Sequence, residues 1–191
     1  IGLARRKTSL HDATILARPM SRRGLQMGGQ FRYLLPDASG EADAAYLAHD
    51  RIADANRYAM AWKHNQNFGG GLAGFVNLEK VSDDTYFADL SDRLALTSQT
   101  NIPRDYGITY DKEPITLLAR MQSFQTLQDP NNPITPPYFR QPQLSMVIKP
   151  VEWHGLDFAA AGEFVRFRQP ALSPNGNRSV LYPTVAWSQQ G

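Results

Sequence analysis

The 191 residues carry 20 Lys and Arg against 18 Asp and Glu, a formal net charge of +2, which excludes nucleic-acid binding through a strongly basic surface. With 42% apolar and 20% charged residues the chain is not intrinsically disordered. Its mean hydropathy of −0.43, without any run near ~20 apolar residues, excludes a membrane-spanning helix, and the lack of cysteine excludes disulfides, thiolate metal sites and cysteine nucleophiles.

The chain opens on Ile1, Gly2 and Leu3, followed at once by Arg5, Arg6 and Lys7. This is no signal peptide and there is no initiator Met, so a mature segment or a fragment is expected. Residues 12–20 read as a strand with Pro19 near its end, where a missing N–H is tolerated. Residues 21–24 are a turn. In residues 25–33, Leu25, Met27, Gly29, Phe31 and Tyr33 fall on one face and Gln26, Gly28, Gln30 and Arg32 on the other. Period two puts successive side chains of a strand on opposite faces, so the pattern makes one apolar and one polar surface.

The pattern repeats in residues 41–47, with Ala42, Ala44 and Tyr46 opposite Glu41 and Asp43. Residues 57–65 set Tyr58, Met60 and Trp62 against Arg57, Lys63 and Asn65, and residues 72–80 set Leu72, Gly74, Val76 and Leu78 against Asn77 and Glu79. Residues 83–96 are the best helical stretch, with irregular apolar spacing. Residues 97–110 make a poor strand broken by Pro103. Residues 115–124 alternate Ile115, Leu117, Ala119 and Met121 with Thr116, Arg120 and Gln122. Residues 143–149 are a weaker strand. Residues 156–167 alternate Leu156, Phe158, Ala160, Gly162 and Phe164 with Asp157 and Glu163, and residues 178–187 make a last strand.

The connections at 21–24, 66–70, 111–114 and 150–155 read as tight. Those at 36–40, 49–56, 81–90, 126–137 and 168–177 read as mostly longer and polar. The fold class is therefore all-β, an antiparallel up-and-down sheet of about ten strands.

Period two does not say which solvent the apolar face meets. A soluble sandwich turns it inward; an outer-membrane barrel turns it to lipid and lines an aqueous lumen with the polar face. Strands of about 9–11 residues fit a tilted bilayer crossing. Tyr33, Tyr46, Tyr58, Trp62, Tyr110 and Trp187 near strand ends fit interfacial aromatic girdles. Alternating connection lengths point the same way.

Several motifs are more specific. Arg22-Arg23-Gly24-Leu25, with Gly29-Gln30-Phe31-Arg32-Tyr33-Leu34, resembles the early barrel hairpin of the LPS-assembly protein LptD family. Trp62-Lys63-His64, followed by Lys80-Val81-Ser82-Asp83-Asp84-Thr85-Tyr86-Phe87-Ala88-Asp89-Leu90, is similar to a second motif of that family. Phe124-Gln125-Thr126-Leu127-Gln128-Asp129 and Pro137-Tyr138-Phe139-Arg140-Gln141-Pro142-Gln143-Leu144 are similar to a third. Gly162-Glu163-Phe164, Arg178 and Tyr182-Pro183 complete the order, so the resemblance covers residues 12–187.

The resemblance implies that residues 1–191 are a partial outer-membrane β-barrel domain, from the N-terminal part of a barrel that inserts lipopolysaccharide into the outer leaflet. It implies the outer membrane of a Gram-negative bacterium, with lipopolysaccharide and membrane lipids as partners. A lipoprotein plugs such a barrel, and a periplasmic jellyroll bridge protein reaches it through an N-terminal domain this sequence lacks. It implies no enzyme activity, no cofactor and no nucleic acid. The family's first strand, which forms one side of its lateral gate, is not matched in residues 1–11, so no gate residues carry over.

On that reading Gln30, Arg32, Glu41, Asp43, Lys63, Asn77, Glu79, Arg120, Asp157 and Glu163 face the lumen. Met27, Phe31, Tyr58, Met60, Val76, Leu78, Leu117 and Phe158 face lipid. Two alternatives remain open at this point: a soluble β-sandwich binding carbohydrate on Trp62, Trp153 and Trp187, and a small porin-like channel.

Little else suggests chemistry, and no catalytic or metal-binding residue is expected. His11, His49, His64 and His154 lie in separate elements without metal-ligand spacing. Asp83, Asp84, Asp89 and Asp92 lack the alternating ligands and central Gly of a calcium loop. Gly69-Gly70-Gly71 has no following Lys-Ser/Thr and reads as a turn. Glu41 and Asp43 share a strand face as paired carboxylates could, but hydrated wall charges explain them. Arg22-Arg23 reads as a solvated turn, and Asn131-Asn132-Pro133 as a loop.

Overall fold

The computed structural model describes residues 9–91, 99–170 and 175–187. Among them are ten strands: β1 (Leu10–Met20), β2 (Gly24–Leu34), β3 (Ala38–Asp50), β4 (Ala55–Gly69), β5 (Leu72–Val81), β6 (Asn101–Lys112), β7 (Ile115–Thr126), β8 (Phe139–Trp153), β9 (Leu156–Arg168) and β10 (Gly176–Trp187). A five-residue helix, α1 (Tyr86–Leu90), interrupts the β5–β6 connection. The strands form one sheet in chain order, with β1 and β10 as its edges. Every register that is resolved is antiparallel. The fold is all-β and up-and-down, as the alternation requires.

Glycine shapes several of the tight turns. Gly24 closes the β1–β2 hairpin at φ 122°, and Gly69, Gly70 and Gly71 turn β4 into β5 at φ 81°, 62° and 90°, a region other residues rarely enter.

The structure corrects several expected boundaries. β3 is longer than residues 41–47, because Ser39 pairs with Leu34 and Ala38 with Gln66. The 36–40 and 49–56 connections shrink to 35–37 and 51–54. β8 likewise extends well beyond residues 143–149, crossing register shifts near Arg140–Gln143 and Ile148–Val151 that hide its period from the sequence. The poor strand at 97–110 is observed as β6, although residues 97 and 98 lie outside the described residues. The 83–96 helix is observed only as α1; residues 92–98 lie outside the described residues. The long connections, 82–100, 127–138 and 169–175, all follow odd-numbered strands. Those after even-numbered strands, 35–37, 70–71, 113–114 and 154–155, are all tight. Up-and-down pairing places these two sets at opposite strand ends.

The chain divides into two compact units, residues 1–66, 76–103 and 125–134, and residues 67–75, 104–124 and 135–191. In the first, the buried core is small: Leu47, Val81, Tyr86, Leu90, Ile102 and Leu127, with Met20, Ala59 and Phe87 against it. Most other large apolar side chains are bare, Ile15 being 81% and Met60 51% exposed. In the second unit Val165 is buried, whereas Ile108, Leu144 and Leu181 are exposed. Exposed apolar surface on this scale in a regular sheet marks contact with something other than water.

Candidate functional site

Directly paired residues of antiparallel strands project from the same side. In the first unit, Ala13, Phe31 and Ala42 pair in a row, as do Met27, Tyr46 and Tyr58, and Ala44 pairs with Met60. Met27, Phe31, Tyr58 and Met60 therefore share one apolar face. Val76 and Leu78 of β5 alternate with Asn77 and Glu79, and Glu79 lies 3.8 Å from Lys63, which puts Asn77 and Glu79 on the opposite, polar face.

That polar face carries a row of alternating charge. Asp12 pairs with Arg32, Arg32 with Glu41 and Glu41 with Lys63, and Lys63 meets Glu79. The Arg32 guanidinium donates to the Asp12 carboxylate through both Nε and Nη2. One row inward, Gln30 Nε2 donates to Glu41 at 2.6 Å and to Asp43 at 3.0 Å. Opposite charges facing each other across strands contribute about 0.2–1 kcal/mol per pair. Along the row from Asp12 to Glu79 each charge faces an opposite one. Glu41 and Asp43 are acceptors in this network rather than an acid–base couple.

In the second unit, Leu117 pairs with Met146, and Phe158 with both Val151 and Val185, on the apolar face. On the polar face Arg120 Nε donates to Asp105 at 2.8 Å. Gln143 Nε2 donates to Glu163 at 2.8 Å, and Arg178 closes an ion pair with the same carboxylate. Asp157 shares the face of Glu163 but lies near the β8–β9 turn, opposite Glu152 and Ala186.

Aromatic and imidazole rings collect on the apolar face of the first unit near the tight connections. His11 stacks on Phe31 and Phe31 on Tyr33. Tyr33 OH hydrogen-bonds Nδ1 of His64, and Trp62 stacks on His64. Tyr33 reaches His64 by lying across Gly40, where an added Cβ would strike the Tyr33 ring and the Lys63 carbonyl. Gly40→Ala is expected to expel the ring and cost about 1–3 kcal/mol by overpacking. A urea titration of the Gly40→Ala protein should show it, and Tyr33→Ala in the same chain should recover part of the loss.

The densest polar cluster was not among the expected residues. Arg57, 1% exposed, donates from Nε and Nη2 to Asp83 (2.9 and 2.6 Å), from Nη1 to Asp89 (2.8 Å) and Asp50 (3.2 Å), and from Nη2 to Thr85 (3.1 Å). Arg23 pairs with Asp50 at 2.6 Å and with Asp89 at 3.0 Å. Gln26 donates to Tyr86 OH at 3.1 Å, and Arg18 to the Leu90 carbonyl at 2.9 Å. The cluster ties α1 onto the polar face while Tyr86 and Leu90 complete the apolar core beneath it. The sequence signals were an Arg in polar phase on β4 and the acid-rich run after β5; only folding joins them.

Burial by itself would raise the Asp83 pKa, yet hydrogen bonds from Arg57 and Ser82 outweigh it and hold the carboxyl below its ordinary 3.8. A group whose pKa falls on folding contributes stability above its unfolded value and loses it as pH drops through the folded one. Docking of α1 is therefore expected to be flat near neutrality and to weaken only below about pH 4. Hydrogen exchange at residues 86–90, corrected for intrinsic rates, should rise there, and Asp83→Asn should reduce the dependence to the part carried by Asp50 and Asp89, which share Arg57. Burial likewise raises the Tyr86 hydroxyl above its ordinary range, keeping it neutral where Gln26 binds it.

Among the described residues no group of His, Asp and Glu is placed to hold a metal ion. Among the described residues no helix is long and apolar enough to cross a membrane.

The LptD family profile, described as LPS transport system D, matches residues 55–190. Over 183 residues the chain is 43% identical to the LPS-assembly protein LptD of Burkholderia ambifaria, covering 94% of this chain and 23% of that protein. Likenesses of 42% to the Azoarcus sp. protein and 37% to the Nitrosomonas eutropha protein of the same name cover 94% and 92% of this chain. The chain spans about a quarter of the length of these curated relatives.

Proposed function

The chain belongs to the LptD family, and on that premise we propose that residues 1–191 form part of an outer-membrane β-barrel that delivers lipopolysaccharide to the outer leaflet. The observation that carries this reading is the division of one ten-stranded sheet into a bare apolar face and a charged face. An aqueous sandwich core would require a second layer over the apolar side, whereas a barrel wall requires lipid there and water on the other.

In this reading Gln30, Arg32, Glu41, Asp43, Lys63, Asn77, Glu79, Arg120, Asp157 and Glu163 line the hydrated lumen. Met27, Phe31, Tyr58, Met60, Val76, Leu78, Leu117 and Phe158 meet acyl chains. Lipopolysaccharide is split the same way, with anionic sugars for the wet face and acyl chains for the apolar one. The function is transport, without covalent chemistry. The lipoprotein plug and the periplasmic jellyroll bridge engage the whole protein. The compartment is the outer membrane of a Gram-negative bacterium.

Photo-crosslinking in cells tests the reading. In the full-length protein, a photoreactive residue at Gln30, Glu41 or Arg120 should capture lipopolysaccharide in transit. One at Met27 or Met60 should capture bulk lipid. Capture of neither amphiphile from the apolar face would rule the reading out, as would recovery of the full-length protein outside the outer-membrane fraction.

A further inference from the structure

On the apolar side of the second unit, β9 presents Phe158, Ala160, Gly162 and Phe164 in succession, and the same face then changes to Arg166 and Arg168. The neighbouring strand changes at the same level: Val185, Pro183 and Leu181 give way to Ser179 and Asn177, with Asn177 paired to Arg166. A cleft of about 560 Å³ opens at this boundary, lined by Arg166, Asn175, Gly176 and Asn177. Among the described residues its lining holds hydrogen-bond donors and no carboxylate. Arg166 is exposed, and among the described residues it has no ion-pair partner. Asn175 Oδ1 accepts from the Gln169 backbone N–H at 2.9 Å, which leaves its NH2 group to donate elsewhere. Gly176 leaves the cleft open, since an added Cβ there would meet nothing within 4 Å.

A guanidinium beside amide donors matches a phosphate oxygen set, because its fixed fork can bind two oxygens at once. Position selects the phosphate's carrier. Strands rise ~3.3 Å per residue, so the path from Phe158 to Arg166 covers roughly 20 Å of depth at the usual tilt of a transmembrane strand, most of a ~25 Å apolar band. The cleft thus lies where acyl chains end and headgroups begin.

We propose that this cleft is a binding site for the phosphate headgroup of an anionic membrane amphiphile, with Arg166 as the anion ligand and Asn175 and Asn177 as flanking donors. The inference rests on the reading that the apolar face meets lipid.

Native mass spectrometry of the full-length protein in detergent provides the test, with phosphatidic acid as probe and inorganic phosphate and phosphatidylcholine as controls. The wild-type protein should retain phosphatidic acid in preference to both controls. Arg166→Gln should weaken that retention about tenfold or more, the effect expected for losing a charged hydrogen-bonding group, and Arg166→Lys should keep part of it. Asn177→Val removes a donor without touching the charge and should weaken binding in its own right, which covers the case in which Arg166→Gln does not assemble. Unchanged retention in both variants overturns the site, and equal binding of inorganic phosphate overturns the lipid assignment. A photoreactive residue at Phe158 reports separately on the premise: lipid capture there with unchanged retention in the variants would sink the cleft and leave the barrel reading standing.

Discussion

Replacing Arg57 by methionine is expected to lower the stability of the protein by about 3–5 kcal/mol, the range for removing one partner of a buried ion pair. The reason is the company the guanidinium keeps. Asp50 is wholly buried, and Asp83 and Asp89 are about one-third exposed. Arg23 can still serve Asp50 and Asp89, but Asp83 loses two charged hydrogen bonds at once. Arg57→Lys should recover only part of the loss, because a single ammonium cannot reach three carboxylates as a planar fork does. A urea titration of the full-length protein reads the stability, and limited proteolysis within 82–91 reads release of α1. A midpoint unmoved by Arg57→Met would mean that the cluster does not hold this end of the sheet.

The second large effect separates two adjacent residues. Phe31→Arg places a charge on the face that meets lipid in the proposed barrel and should cost about 2–4 kcal/mol if it sits near mid-bilayer. Gln30→Lys, one residue earlier, adds a cation beside Glu41 and Asp43 and should change stability by less than about 1 kcal/mol. Folding yield into lipid vesicles, measured for both variants of the full-length protein, gives the contrast directly. Equal tolerance of the two charges would contradict the division of solvents.

The legible parts of this protein are those governed by local periodicity. Alternation over residues 25–33 assigns Gln30 and Phe31 to opposite faces before any pairing is known, since a strand has no other way to place neighbours. The observed registers bring Phe31, Ala42 and Ala13 into one row and Arg32, Glu41 and Asp12 into the next. The tight turns at Gly24 and Gly69–Gly71 were legible for a similar reason: few residues tolerate positive φ.

Less legible was whatever a bulge or a distant contact decides. Register shifts in β8 break its period, so a fifteen-residue strand read as a short one. The ends of β3 were hidden because Ser39 and Ala38 have weak strand preference and are held by their cross-strand partners. Arg57 stood in polar phase among other polar residues, and Asp83 and Asp89 in an acidic run. Nothing local distinguishes a solvated charge from one 1% exposed against three carboxylates.

By itself, then, the amino-acid order determined that this is a sheet with one apolar and one charged face, because side-chain direction follows from backbone geometry residue by residue. The tertiary structure decided which charges neutralise one another, where α1 packs, and where Arg166 meets Asn177 at the limit of the apolar face. Those depend on segments far apart in the chain, and only pairing of the strands sets their separation.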